Sequence, residues 1–383
     1  MTETWIDGAA VAARLGVKPQ TLYAYVSRGR IQARPDPEDP RRSLYSAQDI
    51  TRLEARKARG RKAADVAQES IAWGEPILQS AITDVSNGEV RYRGEDAVQL
   101  AATQRLEDVA LLLWAAGDLS IFDREPRPRV RMKGTASARA FAAMAVRAGS
   151  DPAALGRSAS ALHREGAGLV GDLAAALGDG LPDEGVHHGL ARAWGLGPEQ
   201  GDLVRRALVL LADHELNAST FAARVAASTG ASLAACVLAG LAALSGPRHG
   251  AAGARVAALV EEAGRLGPQP ALQAWIARGE PLPGFGHPLY PDGDPRASAL
   301  LAAFMPNPGL LALQALGEEI GGRPANIDFA LAAMTQTLAL PADAPFALFA
   351  LGRSVGWIAH ALEQLQTGAL IRPRARYVGP PPR

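Results

Sequence analysis

A single cysteine in 383 residues removes an internal disulfide framework and a cysteine-cluster metal site together. That residue, Cys236, lies in the apolar run SLAACVLAGLAAL, where a buried structural thiol is expected. No histidine pair has the HExxH spacing, which argues against a zinc hydrolase. No GxGxxG follows a strand pattern and no P-loop motif occurs, so a mononucleotide-binding fold is disfavoured. Gly, Ser or charge breaks every apolar run before ~18 residues, so no membrane span is expected. The opening MTETWIDG has no basic stretch leading into an apolar one, so no export signal is expected and the cytoplasm is the default compartment. Neither a metal nor a permanently bound cofactor is expected.

Hydrophobic residues make up 48% while aromatics are only 5%. Much of the apolar content is Ala and Leu, which favours helices around a sizeable core. The net charge of +1 is unevenly spread. Residues 1–62 hold 13 Lys/Arg against 7 Asp/Glu, and the remainder holds 27 against 32. A basic head on a mildly acidic body suggests that only the head meets a polyanion.

In the head, Asp7 is placed to cap a short helix ending at Gly16, and Pro19 suits the first turn of a second. Ala10, Leu15, Val17, Leu22 and Val26 have spacings that let the two helices pack on each other. The Pro-rich segment RIQARPDPEDPRRSLYSAQDI then reads as a small β-wing. The stretch over about residues 4–55, with LGVKPQTLYAYVSRG at its centre, resembles the MerR-type and excisionase-type winged helix-turn-helix family. The resemblance implies DNA contacts from Lys18, Gln20, Thr21, Tyr23, Arg28, Arg34, Arg41 and Arg42, the arginines meeting phosphates. A helical hairpin that merely docks on the body is the bland alternative. We expect this domain over residues 1–57 and a linker over 58–72.

From about residue 73 apolar residues recur at spacings of three and four almost throughout. Four segments interrupt this pattern with polar groups. ADHELNAST, residues 212–220, brings Asp213, His214, Glu215 and Asn217 into an apolar helix. LSGPRHGAAGA, residues 244–254, is a Gly/Pro turn carrying His249. GFGHPLYPDGDPRA, residues 284–297, reads as a loop because of its Gly and Pro content, and carries His287 and Arg296. In GGRPANIDFALAAM, Asp328 stands between Ile327 and Phe329. Such a carboxylate is costly to bury unless paired, and burial raises its pKa toward that of a useful base. A satisfied core histidine or a capping carboxylate explains any one segment taken singly. His187 and His188 in GVHHGLARAWG fit no motif and are expected in a surface loop. His163 and His360 are expected on helices without a catalytic role.

The ordered set ADHELNASTFAARVAAST, LSGPRHG, GFGHPLYPDGDPRA, NIDF, GRSVGWIAHALEQ and IRPRARYVG resembles the citrate synthase family. The likeness runs from about residue 73, through ITDVSNGEVRYRGEDAVQLA, to the C-terminus. It implies an all-α fold of a large and a small helical domain over 73–383, the small mobile one at about 250–335, preceded here by the winged helix-turn-helix. It further implies condensation of oxaloacetate with acetyl-CoA as co-substrate, followed by thioester hydrolysis to citrate. In that reading Asp328 is the base, His249 donates to the thioester oxygen, and His287 polarises the ketone. His214, Arg296, Arg353 and Arg372 bind the substrate, and Arg372 completes the site of the partner in a homodimer. Two alternatives stay open: a transcription regulator using the body as ligand sensor, and a 2-methylcitrate synthase or citryl-CoA lyase relative. The common motif forms SGPLHGGANE and GFGHRVYK are altered here at Arg248, Gly253, Pro288 and Pro291, which concerns the acyl-CoA side more than oxaloacetate.

Overall fold

The computed structural model describes residues 5–58 except 16, 18, 28, 29, 38, 40 and 41, then 78–123, 133–178, 185–279 and 281–375, and residues 377, 379 and 380. The chain divides into two compact units, one of Met1–Gln79 with Arg374–Arg383, the other of Ser80–Pro373.

In the first unit, Asp7 Oδ1 accepts the amide protons of Ala9 and Ala10, each at 2.9 Å, and so starts helix α1 (Gly8–Leu15). Helix α2 (Pro19–Ser27) begins on its proline. Strands β1 (Trp5–Asp7), β2 (Ala33–Pro35) and β3 (Ser43–Ser46) form an antiparallel sheet in the order β1-β3-β2, and α3 (Ala47–Ala58) follows. Val11, Leu15, Leu22, Ile31, Tyr45 and Ile50 form its core, with Val17 and Val26 against it. Lys18, Arg28 and Arg41 lie outside the described residues, as do the side chains of Gln20 and Tyr23 and the connecting residues 59–77. Thr21 is half-buried on α2, Arg34 stacks 4.5 Å above the Trp5 ring, and Arg42 is exposed beside Asp39.

The second unit opens with an antiparallel sheet of β4 (Thr83–Ser86), β5 (Glu89–Tyr92) and β6 (Glu95–Asp96), turned at Asn87-Gly88. This departs from the helical expectation, because an Asn-Gly pair with positive φ at both residues suits a tight hairpin. Helices follow: α4 (Ala97–Thr103), α5 (Leu106–Trp114), α6 (Ala136–Ser150), α7 (Ala159–Leu177), α8 (Val186–Ala193), α9 (Pro198–Leu210), α10 (Ala218–Ser228) and α11 (Leu233–Leu244). His187 and His188 therefore sit on the first turn of α8, and His187 is buried, so the surface-loop expectation is corrected. The apolar Val186, Leu190 and Ala191 turn this helix into the core and take His187 with them. Cys236 is buried in α11, and burial pushes its thiol up to about 12.

The remaining helices are α12 (Gly253–Leu266), α13 (Pro268–Ala277), α14 (Pro295–Leu301), α15 (Pro308–Gly321), α16 (Ile327–Thr337) and α17 (Ala344–Thr367). Two hydrophobic cores result. The larger gathers β5, α4–α11 and α17; the smaller spans Val256 to Ala333 and is built from α12, α13, α15 and α16. Helix α16 serves both, giving Ile327, Ala330, Leu331 and Met334 to the larger and Phe329, Ala332 and Ala333 to the smaller. Asp328, its second residue, stands at the seam between them.

Helix α17 is the spine of the larger core, buried from Ala347 to Leu362. It packs so closely on the 212–213 segment that a Cβ at Gly356 would run into Asp213 Oδ1 and Ala212 O. Gly356→Ala is expected to destabilise the protein by about 1–3 kcal/mol, the usual cost of overpacking. Gly264→Ala on α12 is the control, because its Cβ would meet only Gln336 Nε2 at 3.5 Å. The control should be neutral or stabilising by up to about 1 kcal/mol. Denaturant midpoints at constant slope read both.

Candidate active site

Local sequence brings the polar segments together at that seam. Gly284 and Gly286 have φ of +86° and +77°, and a Cβ at either would strike Val256 or Arg323. Their turn lets Gly286 N donate to Pro324 O at 2.7 Å and Asn326 N donate to Gly284 O at 2.9 Å. The loop bearing His287 is thus tied to the start of α16. Asn326 caps that helix, accepting from Asp328 N and Phe329 N, and its own amide donates to Gly286 O.

The loop ends sooner than its Gly and Pro content suggests. Asp294 caps α14 and Pro295 takes its first position, so Arg296 is helical rather than part of the loop. Asp294 binds the Arg296 guanidinium through two bonds of 3.0 and 2.9 Å, and its Oδ2 also accepts Ile327 N at 3.1 Å. One buried carboxylate therefore fixes Arg296 against the helix that carries Asp328. The Arg296 charge holds Asp294 below its usual pKa, although burial pulls the other way. Burial also opposes the charge on Arg296, but Asp294 outweighs it. Asp294 holds Nε and Nη2 of Arg296, which leaves Nη1 without a hydrogen-bond partner among the described residues.

Arg353, buried in the middle of α17, is differently placed. Its Nε donates to Leu211 O at 2.9 Å, and its two Nη groups have no hydrogen-bond partner among the described residues. Burial presses its pKa down, with Asp213 the first opposing charge. A buried guanidinium with its Nη groups unpaired is a socket for an anion.

Three imidazoles complete the group. His214 is buried, and its ring stands edge-on to that of His287 with centroids 5.2 Å apart. Burial, then the charges of Arg296 and Arg353, then His287 and His249, depress its pKa well below 6.5. His249 occupies the turn between α11 and α12, with Nε2 2.8 Å from Ser219 Oγ. His287 accepts the Leu289 amide proton on Nδ1 at 3.2 Å. Burial lowers both to about 4, helped by Arg353 for His249 and by Arg296 for His287. All three rings are neutral near pH 7. A neutral His287 that accepts on Nδ1 carries its proton on Nε2.

Asp328 is pushed the opposite way. The residue keeps some exposure but its carboxyl group is enclosed, and burial raises it to about 6 against the pull of Arg296. Gly253, the first residue of α12, is its neighbour, since a Cβ there would lie 4.0 Å from Asp328 Oδ1. The site thus holds one carboxylate poised to accept a proton, neutral N–H donors and a buried unpaired cation. Arg372 stands apart: it is exposed on the extended segment after α17, and no hydrogen bond joins it to the others among the described residues.

Further residues of the quoted segments join this arrangement. Ser219 accepts Trp357 Nε1–H at 3.1 Å and touches His249. His360, expected on a helix without a catalytic role, lies buried on α17 and centres a hydrogen-bonded chain. Its Nε2 lies 3.3 Å from Asp213 Oδ2 and its Nδ1 lies 3.0 Å from Arg224 Nη1, which pairs in turn with Glu363. Its signal in the sequence was its place in GRSVGWIAHALEQ, at helical spacing from Arg353 and Gln364 on one apolar helix.

Residues 175–374, just over half of the chain, match the family model described as Citrate synthase, C-terminal domain. The chain belongs to the citrate synthase family. It is 37% identical over 197 residues to citrate synthase 2 of Bacillus subtilis, covering 48% of this chain and 52% of that protein. The citrate synthase of Haloferax volcanii is 38% identical over 216 residues, 52% of this chain and 57% of that one. The 2-methylcitrate synthase of Shewanella oneidensis is 36% identical over 187 residues, 46% and 50% of the two chains. The chain spans about half the length of the curated relatives it matches. Solved structures extend the likeness. The citrate synthase of Thermotoga maritima superposes with a TM-score of 0.67 at 27% identity, over 80% of this chain and 94% of that one. That of Thermoplasma acidophilum, in a ternary complex with carboxymethyl coenzyme A and oxaloacetate, gives 0.65 at 25% identity, over 80% and 95%. Among the described residues no group of His, Cys, Asp and Glu is arranged to hold a metal, and no helix is long and apolar enough to cross a membrane.

Proposed function

We propose that this citrate synthase family member condenses oxaloacetate with an acyl-CoA, acetyl-CoA first, and hydrolyses the resulting thioester to release CoA. The observation that carries the proposal is the place of Asp328 at the seam of the two cores, on the helix start that Asp294 ties to Arg296, where burial raises its carboxyl to about 6. A thioester methyl is a weak acid, so its deprotonation needs a base held close and a donor at the enolate oxygen. Asp328 takes the proton. Ser219 Oγ lies 2.7 Å from Asn217 Oδ1 and 2.8 Å from His249 Nε2; when its one hydroxyl proton turns from Asn217 to His249 Nε2, His249 is a donor at Nδ1. That Nδ1–H serves the thioester oxygen. The enolate carbon attacks the oxaloacetate ketone, whose oxygen receives the Nε2–H of His287. Water then cleaves the thioester, giving citrate and CoA. Arg353 grips one substrate carboxylate, Arg296 adds its charge and remaining Nη1, and His214 binds alongside.

In a homodimer, Arg372 would reach the partner's site from its extended segment. Gly253 beside Asp328, together with the likeness to a 2-methylcitrate synthase, supports propionyl-CoA as the acyl donor to compare. Oxaloacetate-dependent thiol release from each acyl-CoA tests the proposal. Release with either supports it, and no release with both, from folded protein that binds oxaloacetate, refutes it.

We also propose that the first unit is a winged helix-turn-helix that binds DNA. The basic balance of residues 1–62 and the order α1, α2, β2–β3 hairpin support this reading. Retardation of duplex DNA that weakens steeply with salt is the expected result. Salt-independent or absent binding would leave the unit a docking module.

A further inference from the structure

Tyr290, which no motif reading assigned, sits among the substrate-binding groups. It is 1% exposed, and its Oη lies 2.7 Å from His214 Nε2. Its ring centroid is 4.9 Å from that of His287, and the Arg296 guanidinium carbon lies 5.4 Å above it. Its backbone N–H donates to His287 O at 3.0 Å. Fixed at both ends, it has little freedom to turn its hydroxyl elsewhere.

We propose that Tyr290 is a positioning residue that donates its hydroxyl proton to Nε2 of His214 and thereby fixes His214 as an Nδ1–H donor toward the oxaloacetate. The inference rests on the function proposed above. It follows from proton counting. The contact joins two neutral groups, since burial depresses His214 and raises Tyr290. A neutral imidazole holds one proton and a phenol holds one. If His214 Nε2 donated to Tyr290, the phenol proton would need a second acceptor, and Oη has no other hydrogen-bond partner among the described residues. A buried O–H without an acceptor is costly. Donation from Tyr290 to Nε2 leaves no orphan. His214 Nδ1, which has no protein partner among the described residues, then carries the ring's proton. The two rings consequently present opposite nitrogens, Nδ1–H from His214 and Nε2–H from His287, so two donors converge on one small dianion from rings 5.2 Å apart.

Tyr290→Phe removes one oxygen and keeps the ring that packs on His214, His287 and Arg296. The decisive readout is the nitrogen-15 spectrum of the full-length protein labelled on histidine, with His214 assigned by its loss in His214→Gln. The expected wild-type pattern is a protonated Nδ1 and a bare Nε2. In Tyr290→Phe the proton should redistribute toward Nε2. Oxaloacetate affinity, measured by calorimetry, should fall about tenfold, while acyl-CoA affinity stays unchanged. Wild-type His214 protonated at Nε2 overturns the proposal, as does a variant that keeps the wild-type tautomer. The wild-type spectrum decides even if the variant does not fold. Since no turnover is needed, the expected tautomers without thiol release would sustain this inference and sink the proposed reaction instead.

Discussion

Asp328→Asn should lower kcat by about 10²–10⁴-fold, the range in which a positioned general base contributes. The substitution keeps size and shape, and the backbone amide of residue 328 still donates to Asn326. Oxaloacetate binding should therefore survive, because Arg353, Arg296 and His214 are untouched. In the wild type, kcat/KM should rise with pH through an apparent pKa near 6 with the slope of one proton, since only ionised Asp328 accepts one. His249 and His287, lowered to about 4, stay neutral above pH 5 and add no second step. The linkage runs the other way for stability. A carboxyl raised from 3.8 to about 6 on folding favours the folded state while protonated. That contribution is lost as pH rises from 3.8 through about 6. Above it, the ionised carboxylate destabilises the fold by up to about 3 kcal/mol, at roughly 1.4 kcal/mol per unit. Asp328→Asn should accordingly be at least as stable as wild type at pH 8, the pattern of a group kept for chemistry at the expense of the fold. A pH series of initial rates and of melting temperatures on both proteins measures the two effects together.

Arg296→Leu should be the most damaging single change in the substrate group. It leaves Asp294, 2% exposed, as a buried carboxylate without its counter-charge. Removing one partner of such a pair costs about 3–5 kcal/mol. That corresponds to a fall in Tm of roughly 6–20 °C for a unit of this size. Asp294 also accepts Ile327 N, so its disturbance reaches the first turn of α16 and shifts the base. The double variant Asp294→Asn with Arg296→Leu should recover much of the stability, because no unpaired charge remains, yet regain no oxaloacetate binding. A thermodynamic cycle over the four proteins measures the coupling directly. Additivity of the two single changes would show that the pair is not the tie between α14 and α16 described above.

The helical body and its interrupting polar segments were legible in the sequence because each interruption is local. His249, His287 and Asp328 each stand out against their own neighbours, and the cap at Asp7 follows from residue type and position. What pairs with what was not legible. The bond from Ile327 N to Asp294 depends on where the chain returns after 33 residues. Tyr290, Ser219 and His360 act across separations of 30 to almost 150 residues, which no local pattern reveals. Arg296 was assigned to the loop because Gly and Pro dominate the stretch, whereas an Asp-Pro pair at its end starts a helix. His187 was assigned to a surface loop because it fits no motif, whereas Val186, Leu190 and Ala191 set the buried face of its helix. The hairpin at Asn87-Gly88 was carried along with the helical body although its turn pair was in plain view.

The residues gathered at the seam of the two cores are proposed to make a new carbon–carbon bond. The most direct measurement is product identification by NMR, using oxaloacetate with acetyl-CoA carrying carbon-13 in its methyl group, and separately with labelled propionyl-CoA. Wild-type protein should convert the labelled methyl into a methylene of citrate, or propionyl-CoA into methylcitrate, and Asp328→Asn should leave the label in the thioester. Unchanged thioester with both substrates, in folded wild-type protein that binds oxaloacetate, would contradict the account and leave the site as a binding pocket without chemistry.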